Sequence, residues 1–217
     1  MFKTRVLIIL MILTPVVLQE TSGQVLKNNT ELDARVKKFL EETRGTWYDM
    51  NIPYADGQKM FDIIVENGYT SALEIGTSTG LSGIWIAWAL SKTGGKLITV
   101  ELDRGRHQRA MENFKKAGLA DYIDARLANA HDLVPQLKGP FDFVFSDADK
   151  DWYENYFKEV DPNLKVGGCY VTHNISERGY RRGQNTGYLE FLRSLTNYET
   201  AVFSGGGGMS ISYKRSR

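Results

Sequence analysis

Three short stretches concentrate residues able to do chemistry. The first is Glu74-Ile75-Gly76-Thr77-Ser78-Thr79-Gly80, followed by Leu81-Ser82. Its spacing is E-x-G-x-x-x-G. A dinucleotide site instead uses G-x-G-x-x-G, whose glycines and bare helix N-terminus receive a pyrophosphate. A ligand without phosphates tolerates an acidic residue here, and the glycines let backbone approach its amino-acid part. The second stretch, Thr99-Val100-Glu101-Leu102-Asp103, offers a carboxylate able to accept both hydroxyls of an adenosine ribose. The third runs from Phe141-Asp142-Phe143-Val144-Phe145-Ser146 into Asp147-Ala148-Asp149-Lys150-Asp151-Trp152-Tyr153. Three aspartates and a lysine at the end of an apolar run are costly unless used. Asp147 can bind an ammonium group or a metal, and a desolvated Lys150 can take a proton from a hydroxyl. Asp149 and Asp151 also suit the plainer role of capping the helix that follows.

These stretches fall where an alternating architecture would place them. From Ser71 onward, short apolar runs alternate with longer amphipathic segments. Strands are expected at Ser71–Ile75, Lys96–Val100, Tyr122–Arg126, Phe141–Ser146 and Cys169–Thr172. Helices are expected at about Leu81–Lys92, Arg104–Ala117, Asp132–Leu137 and Lys150–Val160. This alternation predicts βαβ units and a parallel sheet covered by helices on both faces. Ligands then bind beyond the carboxyl ends of the strands, where all three stretches lie. Upstream, Glu31–Tyr48 reads as a helix with Thr30 as N-cap, and Ala55–Glu66 as a second. Downstream, a helix at Tyr188–Leu195 precedes strands at Tyr198–Phe203 and Met209–Tyr213 around a turn at Gly205–Gly208. The fold class is α/β: a Rossmann-like, doubly wound, seven-stranded sheet, mostly parallel with an antiparallel C-terminal hairpin. Trp85 and Trp88 read as core. Glu74 and Glu101 in this frame point to S-adenosylmethionine as the ligand.

Met50-Asn51 with Gly57-Gln58, then LEIGTSTGLS, VELD, HDLVPQL, FDFVFSDADKDWY and VGGCYVTHN follow one another in order. In these motifs the chain resembles the cation-dependent O-methyltransferases, the group that includes catechol and caffeoyl-coenzyme A O-methyltransferases. The resemblance runs from about Met50 to Asn174. It implies that Met50, Glu74, Gly76, Thr77, Ser78 and Ser82 line the methionine side of S-adenosylmethionine and that Glu101 holds the ribose. It further implies that Ala130 and His131 lie against the adenine, that Asp147 sits beside cofactor and metal, and that Lys150 is the base. Family members often form dimers, so a homodimer enters on the same terms.

The sequence departs from the family at one point. The metal site is completed in the family by an Asp-Asn pair at the end of the fifth strand; here the pair is His173-Asn174. Two readings stand open. Asp147, His173 and Asn174 form an N/O site suited to Zn, Fe or Ni and poorly to Mg. Alternatively no divalent cation is bound and His173 itself acts as a base near neutrality. A cation normally draws two vicinal oxygens together and favours the oxyanion. Its loss shifts the expected acceptor from a catechol towards a single hydroxyl. Acceptor selection falls to Trp152, Tyr153, the Glu31–Met50 segment and the loop from Ile175 to Gly187, where Arg178, Arg181 and Arg182 read as a solvated basic stretch.

Composition bounds the partners. The 217 residues carry 27 Lys+Arg against 26 Asp+Glu, a formal net charge of +1, which lacks the basic footprint of a nucleic-acid binder. A single cysteine excludes an intramolecular disulfide and a cysteine-rich zinc site. Residues 1–23 stand apart: Lys3 and Arg5 precede an apolar run from Val6 to Leu18, shorter than the roughly 20 residues a spanning helix needs. This reads as a signal peptide or N-terminal anchor, with residues 24–217 as the working domain. A functional leader would place that domain outside the cytoplasm, with membrane contact through the leader alone; without one the protein is cytoplasmic. The expected activity is methyl transfer to a hydroxyl of a small-molecule acceptor. The rivals are a non-catalytic binder of S-adenosylmethionine and a nucleotide-dependent oxidoreductase.

Overall fold

The structure is a computed structural model describing residues 26–177 and 186–217. The leader at 1–23, and Arg178, Arg181 and Arg182, lie outside the described residues. No helix among the described residues is long and apolar enough to cross a membrane.

Two helices precede the sheet. α1 (Thr30–Glu42) starts at Asn29, whose side-chain oxygen accepts from the Leu32 amide at 3.0 Å. The cap is thus one residue earlier than Thr30, and the helix stops before the expected Tyr48. Gly45, at φ +85°, turns the chain so that Trp47 packs edge-on against Phe39, with ring centroids 6.2 Å apart. α2 (Tyr54–Asn67) buries Met60, Ile63 and Ile64, and ends at the left-handed Gly68.

The alternating part then runs β1 (Ser71–Ile75), α3 (Leu81–Thr93), β2 (Lys96–Glu101), α4 (Arg104–Ala117), β3 (Ile123–Leu127), α5 (Ala130–Leu133), β4 (Phe141–Ser146), α6 (Tyr153–Val160) and β5 (Leu164–His173). α7 (Thr186–Ser194), β6 (Tyr198–Phe203) and β7 (Met209–Lys214) complete the chain. The strand order is β3-β2-β1-β4-β5-β7-β6, parallel from β3 to β5 and antiparallel at β7 and β6. This is the expected seven-stranded, mostly parallel sheet. β5 is longer than the Cys169–Thr172 segment read from sequence. Its first half, Lys165-Val166-Gly167, is exposed and glycine-broken, so it carries no strand periodicity.

Strand alternation divides the interior in two. Phe143 and Phe145 face a core shared with Met60, Ile84, Trp85 and Trp88, whereas Val144 faces Tyr153, Phe157 and Tyr170 on the other side. α3 is buried nearly all round, as a helix squeezed between the sheet and α2 must be. The strand order reverses between β1 and β4, whose last residues pair as Ile75 with Ser146. The crevice beyond that pair is where an open α/β sheet binds its ligand.

Candidate active site

A cleft of about 540 Å³ opens beyond the carboxyl ends of β1, β2, β4 and β5, within the roughly 300–1,000 Å³ usual for small-molecule sites. Its floor is the loop after β1. The amides of Gly76 and Thr77 both donate to the Val100 carbonyl at 3.1 Å, turning the chain sharply off the strand. Gly76 has φ +102°, and a Cβ there would stand 2.7 Å from the Asp147 carbonyl oxygen. Only glycine lets the loops after β1 and β4 meet.

Glu101 stands at the cleft wall with both oxygens fixed. Oε2 accepts from the Ser78 amide and Oε1 from the Asp103 amide, each at 2.8 Å. A carboxylate oriented by two backbone donors keeps its remaining lone pairs for a ligand's hydroxyls. Across the cleft, the His131 ring stacks on Trp152 with centroids 4.1 Å apart and planes 17° from parallel, beside Ala130 at the start of α5. The cleft therefore joins a polar hydroxyl acceptor to a flat aromatic wall, the two surfaces a nucleoside requires. A strap closes its rim. Asp49 takes a bidentate pair from Arg106 at 3.0 and 3.1 Å, and its carbonyl accepts from Ser78 Oγ at 2.7 Å. Asn51 Nδ2 donates to Thr79 Oγ1 at 3.0 Å, and between them Met50, at φ +43°, borders the cleft.

All the expected site residues except Glu74 and Thr77 border this cleft: Met50, Gly76, Ser78, Ser82, Glu101, Ala130, His131, Asp147, Lys150, His173 and Asn174. Glu74 and Thr77, expected beside the methionine part of a ligand, are turned away from it. Strand alternation points the Glu74 side chain beneath α3. There its Oε2 accepts from Thr99 Oγ1 at 2.5 Å, and Thr77 Oγ1 meets the same hydroxyl at 2.5 Å. Oε1 has no partner among the described residues. Full burial pushes the Glu74 carboxyl up to about 8, against the opposing bonds from Ser82 and Thr99. It acts as a buried, largely neutral prop for the loop.

A second part of the cleft gathers Lys150, Asp147, His173 and Asn174. Lys150 Nζ donates to Asn174 Oδ1, and Asn174 adopts φ +57°. His173 is 4% exposed. Its Nδ1 lies 3.0 Å from Asp147 Oδ2 and its Nε2 lies 3.0 Å from Asp56 Oδ2. Two carboxylate acceptors require a proton on each ring nitrogen, so the group is an imidazolium. Burial alone would push its pKa down; the bonds and charges of Asp147 and Asp56 overcome this and hold it at about 9. A histidine so held is no base at neutrality.

Sequence reasoning missed Asp56 and Tyr153. Asp56 is fully buried on α2, and its Oδ2 also accepts from the Gly207 amide at 2.7 Å. A signal existed: Asp56 lies four, seven and eight residues before Met60, Ile63 and Ile64, on the same buried stripe. A carboxylate on such a stripe demands a partner. Tyr153, read only as an acceptor contact, is buried with its hydroxyl 3.2 Å from the His173 carbonyl and 3.5 Å from Asp147 Oδ1. Burial and the neighbouring Asp147 push its phenol far up, so it stays a donor.

The residues do not fit a divalent cation. Among the described residues no group of three or more His, Cys, Asp or Glu side chains is arranged to hold one. Asp147 Oδ2 is taken by His173, whose two ring nitrogens are engaged by Asp147 and Asp56, and Asn174 Oδ1 accepts from Lys150 Nζ.

Comparison with known proteins agrees with this geometry. A family model described as O-methyltransferase matches residues 21–196. A catechol O-methyltransferase of Niastella koreensis is 39% identical over 118 residues, covering 52% of this chain and 53% of that protein. Caffeoyl-CoA O-methyltransferase 1 of Eucalyptus globulus is 35% identical over 150 residues, covering 66% and 61%. The chain thus spans between half and two thirds of the length of these relatives. Among solved structures, an O-methyltransferase from Bacillus cereus in complex with SAH superposes with a TM-score of 0.71 at 23% identity, covering 84% of this chain and 91% of that one. TomG from Streptomyces achromogenes, in complex with SAM, gives 0.69 at 23%, covering 90% and 94%. At such identities the structural likeness shows the fold.

Proposed function

Since the chain belongs to the O-methyltransferase family, we propose that it transfers the methyl group of S-adenosylmethionine to a hydroxyl of a small-molecule acceptor. The observation that carries this reading is Glu101, held by the Ser78 and Asp103 amides at one end of the cleft, with Lys150 and Asn174 at the other. The cleft, about 540 Å³, has the volume usual for a site that takes small molecules. Relatives named for catechol and caffeoyl-CoA methylation support the oxygen acceptor.

Bound S-adenosylmethionine supplies an electrophilic methyl on a sulfonium. The chain's own residues do the rest. Glu101 takes the ribose hydroxyls, and the His131–Trp152 stack lines the adenine side. Gly76 and Ser78 present backbone to the amino-acid part, and Asp147 stands beside it. Lys150 receives the proton of the acceptor hydroxyl as its oxygen bonds to the methyl carbon, and the broken carbon–sulfur pair stays on sulfur. Asn174 holds the Lys150 amine in place for this transfer. Alignment and exclusion of water provide the remaining acceleration. A functional leader at residues 1–23 places the domain outside the cytoplasm and a leader that does not export leaves it inside; fractionation of the native host tests which holds.

The experiment is methyl transfer from labelled S-adenosylmethionine across a panel of phenols, catechols and aliphatic alcohols, with calorimetric binding of S-adenosylmethionine and NAD in parallel. Labelled ether product is the expected result. Binding without turnover on any acceptor identifies a non-catalytic binder, and binding of NAD alone identifies an oxidoreductase.

A further inference from the structure

In a metal-assisted site, the cation does two things: it supplies positive charge beside the reacting oxygen and holds two vicinal oxygens at once. Here the place of such a cation is filled by side chains bonded to one another. The His173 ring is fixed between Asp147 Oδ2 and Asp56 Oδ2, at 3.0 Å from each. Asp56 is fixed in turn by the Gly207 amide at 2.7 Å. The β6–β7 turn packs directly on this pair. A Cβ on Gly206 would stand 2.1 Å from Asp56 Oδ1, and one on Gly207 2.6 Å from His173 Nε2. The ring therefore has no room to swing aside and offer a lone pair.

A cation entering between Asp147 and Asn174 would have to break the Asp147–His173 contact and displace Lys150 Nζ from Asn174. We propose that the Asp56–His173–Asp147 chain fills the place of a divalent-cation site, so that this protein binds none there and takes single-hydroxyl acceptors without selecting vicinal diols. The His173 ring orients Asp147 and, unlike a metal, has no open coordination positions with which to chelate a diol. Asp56 is a positioning residue that acts through His173. The inference rests on the methyl-transfer reading for its acceptor class, but its metal half is independent of that reading.

The test uses Mn2+ alone as probe, added to the full chain loaded with S-adenosylhomocysteine and followed by the electron paramagnetic resonance signal of free Mn2+. The expected result is no loss of free signal with the unmodified protein, and one equivalent lost with His173→Asp, which supplies a third carboxylate. Loss of one equivalent by the unmodified protein overturns the proposal, whether or not His173→Asp folds. A folded His173→Asp that still ignores Mn2+ overturns the assignment to His173. The second arm compares turnover with EDTA and with Mg2+, on a monophenol and the matching catechol. Unchanged rates with EDTA and a ratio of kcat/KM near one between acceptors are expected. Abolition by EDTA, or strong preference for the catechol, overturns the proposal. If no acceptor is methylated, the methyl-transfer reading fails while the Mn2+ result still decides the metal.

Discussion

His173 Nε2 lies 3.0 Å from Asp56 Oδ2, joining the end of β5 to the first turn of α2 across 117 residues of sequence. The pair is buried, and its second face is closed by Asp147. A positive group held between two negative ones inside a protein ties charge state to folding, and this has measurable consequences.

The first concerns pH. The His173 pKa is raised in the fold to about 9 from 6.5. A raised pKa means the folded state holds the proton more tightly. The stabilisation is therefore complete below pH 6.5 and is lost as pH climbs through 9, at most about 3 kcal/mol. Glu74, raised to about 8 from 4.5 by burial, acts with the same sign over its own lower window. Thermal melts should show Tm falling from pH 6.5 to 9.5, with a shallower fall in His173→Gln. Equal slopes in both proteins would refute the assignment.

Asp56→Asn keeps an acceptor near Nε2 but removes the charge. We expect kcat to fall of the order of tenfold with the cofactor KM unchanged, because Asp147 loses a firmly protonated partner. The 15N resonances of the ring should move from the doubly protonated towards the neutral pattern at pH 7.5. A variant that loses stability while keeping both ring protons would show that Asp56 is only a packing residue.

Gly207→Ala places a methyl 2.6 Å from His173 Nε2. Overpacking of this kind costs about 1–3 kcal/mol in denaturant unfolding, and activity should fall with it. Gly187→Ala in α7 meets nothing within 4 Å and serves as the contrast; it should be neutral or stabilise by up to about 0.5–1 kcal/mol.

Glu101→Gln turns one carboxylate oxygen into an amide that faces a backbone donor, since both oxygens accept from amides at 2.8 Å. Loss of a charge-assisted acceptor is worth about 1.5–3 kcal/mol, so calorimetry should show S-adenosylhomocysteine binding weakened by roughly ten- to a hundredfold. Retained affinity would remove Glu101 from the ribose site.

Lys150→Met should lower kcat by roughly 10²–10⁴, the span of a single proton-transfer group. The Kd for S-adenosylhomocysteine should stay within a factor of two or so. A full-rate variant would pass the proton to another acceptor, with Tyr153 excluded by its raised phenol.

The parts of the site legible in the sequence were those written within one strand end and its loop. Gly76, Glu101, Asp147 and Lys150 announce themselves because each carries its neighbours with it. What strand alternation hides is facing: Glu74 sits two residues before Gly76, which borders the cleft, yet points under α3 and away from it. The bond from α2 to β5 was illegible for a different reason. Asp56 has no motif around it, and the Gly205–Gly208 run reads as an ordinary hairpin turn until its amide is seen on that carboxylate. His173 drew attention as a missing aspartate. Its actual state follows from Asp56, which the order of residues does not place beside it.

The strand order β5-β7-β6 also sets a sequence in time. On the ribosome, Asp56, Asp147 and His173 are all made before Met209, the β7 residue that pairs with His173, and before the Gly207 amide that holds Asp56. The crevice is thus built from elements up to β5, and the contacts that cover its charged end come from the hairpin made last.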